Sequence, residues 1–208
     1  DAVAGLHVRS TLRPAADHPE LAGRKAEKFT GDGGSIKANH ELTKAALVHL
    51  AAVFPQAVEF DALVAAATAR LGRSHAGADD RAELARTLLT AAASEHALVF
   101  FETAPPPVTP AAGERPRARA LARWQLGTTR IVTSHLHESI TLEPLQAAVL
   151  ALLDGTRDRG ALLDALIAAH PRPVRNGKAV PAHQVRSVLS RDLDVTLAQL
   201  ARLALLDA

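Results

Sequence analysis

Cysteine, methionine and tyrosine are absent from this chain of 208 residues, and Trp124 is its one tryptophan. Without cysteine there is no disulfide, no thiolate nucleophile and no Cys-based zinc site, which makes the cytoplasm the simplest compartment. No apolar run approaches the roughly 18 uncharged residues that a membrane-spanning helix needs. A field of one charge sign is missing too: 24 Lys and Arg stand against 22 Asp and Glu, a net charge of +2. Residues 1–112 carry 11 basic and 13 acidic groups, and residues 113–208 carry 13 and 9. That mild, arginine-based excess in the second half is far from the basic field of a dedicated nucleic-acid binder. With no methionine anywhere, a chain that begins at Asp1 is expected to be a piece of a longer protein. No charged stretch followed by an apolar one occupies its start, so a secretory leader has no support there.

What is present is alanine and leucine. Hydrophobic residues make up 48% of the chain, a share that excludes wholesale disorder and permits real cores. Ala and Leu are strong helix formers, so the expected fold class is mainly α with short β-hairpins, arranged as two small winged-helix-like modules. Residues 1–39 read as an extended arm: Leu6, Val8 and Ser10 alternate with polar neighbours up to Pro14, then a polar stretch leads to Gly31-Asp32-Gly33-Gly34. So little apolar surface predicts an arm that packs on something else.

From Glu41 the period becomes helical. Leu42, Ala46, Leu50 and Val53 mark a first helix ended by Pro55, and a second runs from Phe60 to Leu71 before Gly72. A third starts at Asp79-Asp80, acidic residues suited to a helix N-terminus. Ala97 to Phe101 then read as a strand, which closes a first module over 40–103. The proline-rich stretch 104–116 reads as a linker. In the second module, 117–208, Arg117 to Leu126 predicts a basic helix, and residues 131–133 and 139–142 predict paired strands. Helices follow over Leu145–Leu152 and Arg159–His170, and the longest apolar stripe is Val185, Leu189, Leu193, Leu197 and Leu200.

Three groups of residues could carry chemistry. Consecutive glycines at 31–34 could cradle an anion, but the segment has neither GxGxxG nor GxxxxGK[ST] spacing, and Asp32 stands where a phosphate would sit; a plain turn is the expectation. His135 and His137, two apart, could share one face of a strand, yet no third ligand follows by spacing, so no metal site is assigned. Arg115, Arg117, Arg119 and Arg123 lie beside Trp124. Guanidinium groups next to an indole suit recognition of carboxylate, phosphate or aromatic groups, and these five residues are the candidate interaction surface. The plainer alternative is a solvated helix face with Trp124 packed inward. No GxSxG or HExxH is present, and no pair of residues stands out as general acid and base; no catalytic, cofactor-binding or metal residue is named.

Several stretches together carry a family resemblance: Lys44-Ala45-Ala46-Leu47, His49-Leu50 and Phe54-Pro55; then Arg115-Pro116, Leu121-Ala122-Arg123 and Gln125. The most specific are Val132-Thr133, His137, Leu142 and the block Leu152-Leu153-Asp154-Gly155-Thr156-Arg157-Asp158, ending in Leu162. The chain resembles the C-terminal region of bacterial class I S-adenosylmethionine-dependent methyltransferases that carry a methyltransferase regulatory domain, protein-lysine methyltransferases among them. The likeness spans residues 1–208 and is strongest at 115–160. It implies an N-terminal Rossmann-like domain that binds the cofactor elsewhere in a parent protein, followed by modules that regulate the enzyme or present its substrate. This chain lacks the strand, glycine loop and helix that hold the cofactor, so none of the family's cofactor or catalytic residues carries over. The resemblance therefore implies a non-catalytic accessory region. Its partners would be the methyltransferase catalytic domain in the same parent chain and a protein substrate, and S-adenosylmethionine would be the parent's cofactor. A DNA-binding winged-helix regulator is the alternative. Its recognition helix, residues 79–95, has four acidic residues against Arg81 and Arg86, the wrong sign for phosphate contact. The methyl acceptor is not legible in these residues.

Overall fold

In the computed structural model, which describes residues 3–169, 174–175 and 178–208, the chain divides into two compact units, Asp1–Pro106 and Pro107–Ala208. Both are small helical modules with short antiparallel sheets. The division falls inside the stretch expected to be a linker.

Unit 1 opens with strands β1 (His7–Ser10), β2 (Arg13–Pro14), β3 (Glu27–Gly31) and β4 (Gly34–Ala38). Helix α1 (Glu41–Val53), strand β5 (Val58–Glu59), helices α2 (Phe60–Arg70) and α3 (Ala78–Ala92) and strand β6 (Val99–Glu102) follow. The three helices lie where hydrophobic spacing puts them. On α3 the buried residues Leu84, Ala85, Leu88 and Ala91 recur at helical intervals. Asp79 and Asp80 occupy its first turn, beside the positive end of the helix dipole. Helix α1 buries Leu42, Thr43, Lys44, Ala45, Ala46, Leu47 and Leu50, more than one face, because α2, α3 and the strands all pack on it.

The expected arm differs from the structure. β1 is the middle strand of the antiparallel sheet β5-β1-β6, and β2-β3-β4 form a second sheet. Val8, Leu12 and Phe29 are fully buried in the same core as the helices. The stretch has few apolar residues, but the helices supply the surface against which those few are buried. The loop between β2 and β3, with Arg24 and Lys25 at its far end, is held by a buried lysine. Lys44, fully buried, donates from Nζ to the carbonyls of Ala22, Gly23 and Lys25 at 3.3, 3.0 and 3.2 Å, which uses all three ammonium donors.

Unit 2 contains α4 (Ala120–Gln125), β7 (Ile131–Thr133), β8 (Ser139–Thr141), α5 (Pro144–Leu152), α6 (Arg159–Ala169), β9 (Val174–Arg175), β10 (Lys178–Ala179) and α7 (Val185–Arg202). Part of the expected linker is built into it: Val108 is buried and bridges to Asp207. The basic helix is shorter than the expected 117–126, because its first residues are tied elsewhere. Ala118 N–H donates to the Leu153 carbonyl at 2.8 Å, and the Arg117 carbonyl accepts from Asp207 N–H at 2.9 Å. Strands β7 and β8 pair as expected, Val132 opposite Ile140, around a turn in which His137 has a φ of 61°. Helix α5 starts with Pro144 after a capping box made by Glu143 and Gln146. Helix α7 carries the long stripe, burying Val185, Leu189, Leu193, Thr196, Leu197 and Leu200 against α5 and α6. The last residue of the expected 159–170 helix lies outside the described residues. Among the described residues no helix is long and apolar enough to cross a membrane.

Candidate functional site

The five residues expected to form one surface take different positions in unit 2. Arg115 and Arg117 are exposed and line a cleft of about 440 Å³ with Thr109, Glu114 and Asp207. Arg117 Nε lies 3.5 Å from Asp207 Oδ2, and Asp207 also takes His135 Nε2 at 2.8 Å. Arg119 turns toward the hairpin instead, donating to the carbonyls of Thr133 and Ser134. Arg123 is half-buried, and its Nε is enclosed without a hydrogen-bond partner. Trp124 does not pack inward: it is 76% exposed. The small residues Ala118 and Ala122 face the core, so the bulky indole two positions past Ala122 on α4 is turned out.

The packing of α4 against β7 fixes what surrounds the indole. Gln125 Nε2 donates to Thr133 Oγ1 at 3.0 Å, and its Oε1 accepts from Thr133 N–H at 2.8 Å. Leu121, Trp124 and Gln125 are spaced to share one helix face. Ile131 shares the Thr133 face of its strand, opposite the buried Val132. Leu121 and Trp124 on α4 and Ile131 on β7 are thus exposed on the two elements that the Gln125–Thr133 bridge joins. Sequence reasoning found the tryptophan and the arginines but missed the two aliphatic residues. Their only signal was Ile131 standing two residues from Thr133 on a strand.

The other candidates resolve into local structure. Gly31 pairs with Gly34, so Asp32-Gly33 is the tight turn of the β3–β4 hairpin. A Cβ on Gly33 would lie 2.4 Å from His96 Cβ, so the backbone approach itself requires glycine. His135 is bound to Asp207, His137 is exposed in its turn, and the described residues hold no group of three metal-ligating side chains. In unit 1 a cleft of about 430 Å³ is lined by Arg24, His40, Glu41, Arg73, Asp80 and Glu83 among others. Its charges are largely matched: Arg73 pairs with Glu41, and His40 Nε2 with Asp80 at 2.9 Å. The hydrogen bond from His40 is the main reason the Asp80 carboxyl titrates below its ordinary range. On α3 Arg81 pairs with Asp61 and Arg86 with Glu83; on α7 Arg186 pairs with Asp164.

The block 152–158 is a turn between α5 and α6. Asp154 accepts from the Thr156 hydroxyl at 2.5 Å, from Thr156 N–H at 2.9 Å and from Arg157 Nη1 at 2.6 Å. Those bonds, the Thr156 hydroxyl first, hold its carboxyl well below the usual carboxylate range. Gly155 takes a φ of 84°, and Asp158 accepts from Ala161 N–H at 2.9 Å at the start of α6.

The arrangement of helices and hairpins in unit 2 has a counterpart among known families: residues 114–205 match the model described as PKMT, C-terminal winged helix domain. Two solved structures share the fold over almost the whole chain. The structure of PKMT2 from Rickettsia typhi matches with a TM-score of 0.82 at 16% identity, covering 98% of this chain and 42% of that one. The structure of the same protein in complex with AdoHcy matches with a TM-score of 0.77 at 16% identity, covering 97% and 42%. The chain thus spans well under half the length of PKMT2. No curated protein matches it. The glycine cluster at residues 31–34 joins two strands of a hairpin, whereas a dinucleotide-type cradle joins a strand to a helix.

Proposed function

We propose that this chain is a non-catalytic accessory region, regulatory or substrate-presenting, of a bacterial, cytoplasmic S-adenosylmethionine-dependent protein-lysine methyltransferase. The observation that carries the reading is the PKMT C-terminal winged helix domain match over residues 114–205. In this reading the cofactor is held by a catalytic domain of the same parent chain. Of the five residues Arg115, Arg117, Arg119, Arg123 and Trp124, the exposed Arg115, Arg117 and Trp124 are the ones that meet that domain or the protein substrate. Calorimetric titration with S-adenosylmethionine tests it. The 208-residue chain is expected to give no binding heat, and a longer parent chain is expected to bind. Tight binding by the 208 residues alone would overturn the reading.

A further inference from the structure

Residues 115–137 contain five arginines and no carboxylate; the acidic residues that flank the run are Glu114 and Glu138. Within this run the structure exposes Leu121, Trp124 and Ile131, by 39%, 76% and 53%. A large aromatic left in water beside two aliphatic residues marks an interaction patch rather than a scattered surface residue. Two of the arginines are engaged inside the unit, Arg117 with Asp207 and Arg119 with backbone carbonyls. Arg115 and Arg130 are exposed with no ion pair among the described residues, and Arg123 Nε is enclosed without a partner. Of the carboxylates on neighbouring elements, Asp154 holds Thr156 and Arg157, Asp207 holds His135 and Arg117, and Glu143, next to the Leu142 whose N–H bonds the Arg130 carbonyl, accepts from Gln146 N–H in its capping box. The patch therefore pairs an apolar centre with guanidinium groups whose counter-charge has to come from outside.

We propose that Leu121, Trp124 and Ile131, with Arg123 and Arg130 beside them, dock an acidic polypeptide segment that carries one bulky apolar side chain between its carboxylates. The apolar side chain would cover the indole, and the carboxylates would take the free guanidinium groups as charge-assisted hydrogen bonds. Nucleic acid is disfavoured by the rest of unit 2. Among the described residues Arg157, Arg159 and Arg186 are paired with Asp154, Asp194 and Asp164, which interrupts a basic track for a phosphate backbone there. The proposal deepens the role given to this surface above, and rests on that reading only for the docking taking place within a methyltransferase.

Trp124 is the only indole in a chain without tyrosine, so its fluorescence reports the patch directly. The full chain would be titrated with a short peptide bearing one leucine flanked by glutamates. Comparison probes would be the same peptide with serine for leucine, the same with glutamines for the glutamates, and a thymidine oligonucleotide. A saturable blue shift with the acidic leucine peptide is expected, with affinity falling about tenfold for each altered peptide. Anisotropy of the labelled peptide should show a loss of about tenfold for Trp124→Ala and a smaller loss, about threefold, for Arg123→Gln or Arg130→Gln. The melting temperature of Trp124→Ala should stay unchanged, which separates lost docking from lost folding. Absence of a saturable shift, indifference to both peptide changes, or tighter binding of the oligonucleotide would each overturn the proposal. So would a shift that depends on chain concentration alone, which would make a second copy the occupant. Peptide binding by this chain, with no S-adenosylmethionine binding by its longer parent, would keep this proposal and remove the methyltransferase reading. The reverse pair of results would do the opposite.

Discussion

The two units are built from the same parts and distribute their side chains in opposite ways. Among the described residues unit 1 buries Arg9, Ser10, Thr43, Lys44 and Thr68, whereas unit 2 buries only Ser134 and Thr196 among its polar residues. Large exposed apolar residues run the other way: Leu89 in unit 1, and Leu121, Trp124, Ile131 and Val195 in unit 2. Each buried charge in unit 1 is met from within. Arg9 pairs with Glu102 at 3.1 Å and lies 4.3 Å above the Phe100 ring, and Lys44 takes three carbonyls. That pairing is internal to unit 1 but incomplete, since His7 Nδ1, Arg9 Nη1 and Glu102 Oε2 are enclosed without a hydrogen-bond partner. Unit 2 closes an aliphatic core without its one tryptophan and leaves that residue free for contact.

The sharpest way to break this contrast is to truncate one aromatic residue in each unit. Phe60→Ala removes a fully buried ring from unit 1 and should cost about 3–5 kcal/mol. Trp124→Ala removes a larger ring from unit 2 and should change stability by no more than about 0.5 kcal/mol. Chemical denaturation of each full-length variant checks both, and a large cost at Trp124 would mean that the indole is structural. Next comes Lys44→Met, which keeps the length and removes the ammonium from three carbonyls. A loss of about 1–3 kcal/mol is expected, with faster hydrogen exchange in residues 20–26 and no change in unit 2.

Smaller effects follow from the turn and from pH. Asp154→Ala should lower the melting of unit 2 by a few degrees, on the order of 2–4 °C, and leave unit 1 unchanged. Acid should soften the units in sequence. Burial, helped by Arg70, pushes the His49 imidazole in unit 1 below its ordinary 6.5. The folded state thus binds fewer protons than the unfolded one, and this stability is complete above about pH 6.5 and is lost as pH falls. In unit 2 the depressed groups are Asp154, and Asp194 beside Arg159. Their contribution stands above the ordinary 3.8 and is lost only below it. Asp80 in unit 1 behaves likewise. Hydrogen exchange mapped by residue should therefore show unit 1 opening first near pH 5, and simultaneous opening would contradict the comparison.

Much of this architecture is legible in the chain itself, for identifiable reasons. Helices α1, α2 and α3 have regular apolar spacing and acidic first turns, and Pro55 and Gly72 follow the ends of α1 and α2, so these bounds lie within a residue or two of expectation. The β3–β4 hairpin escaped because Phe29, Ile36 and Ala38 alone carry its core-facing side, among lysines, glycines, serine and threonine. Its turn signal was nonetheless present in Asp32-Gly33. The direction of Trp124 was not legible, because the spacing of α4 does not say whether the alanines or the larger residues face inward. The backbone ties of Ala118 settle that, and they come from residues 153 and 206, far along the chain. The block 152–158 shows the converse: the most family-specific residues hold a turn together, and the exposed patch lies elsewhere.

The hold of Lys44 on the loop beneath it has a consequence for how the protein is cut. Arg24 and Lys25 sit exposed in that loop, an inviting pair for a trypsin-like protease. The carbonyl of Lys25, part of the bond such an enzyme would hydrolyse, is one of the three that the buried ammonium grips. To enter a protease cleft the loop would have to straighten and surrender that grip, so nicking there waits on local opening. A residue hidden in the core thereby decides how durable an exposed basic segment is.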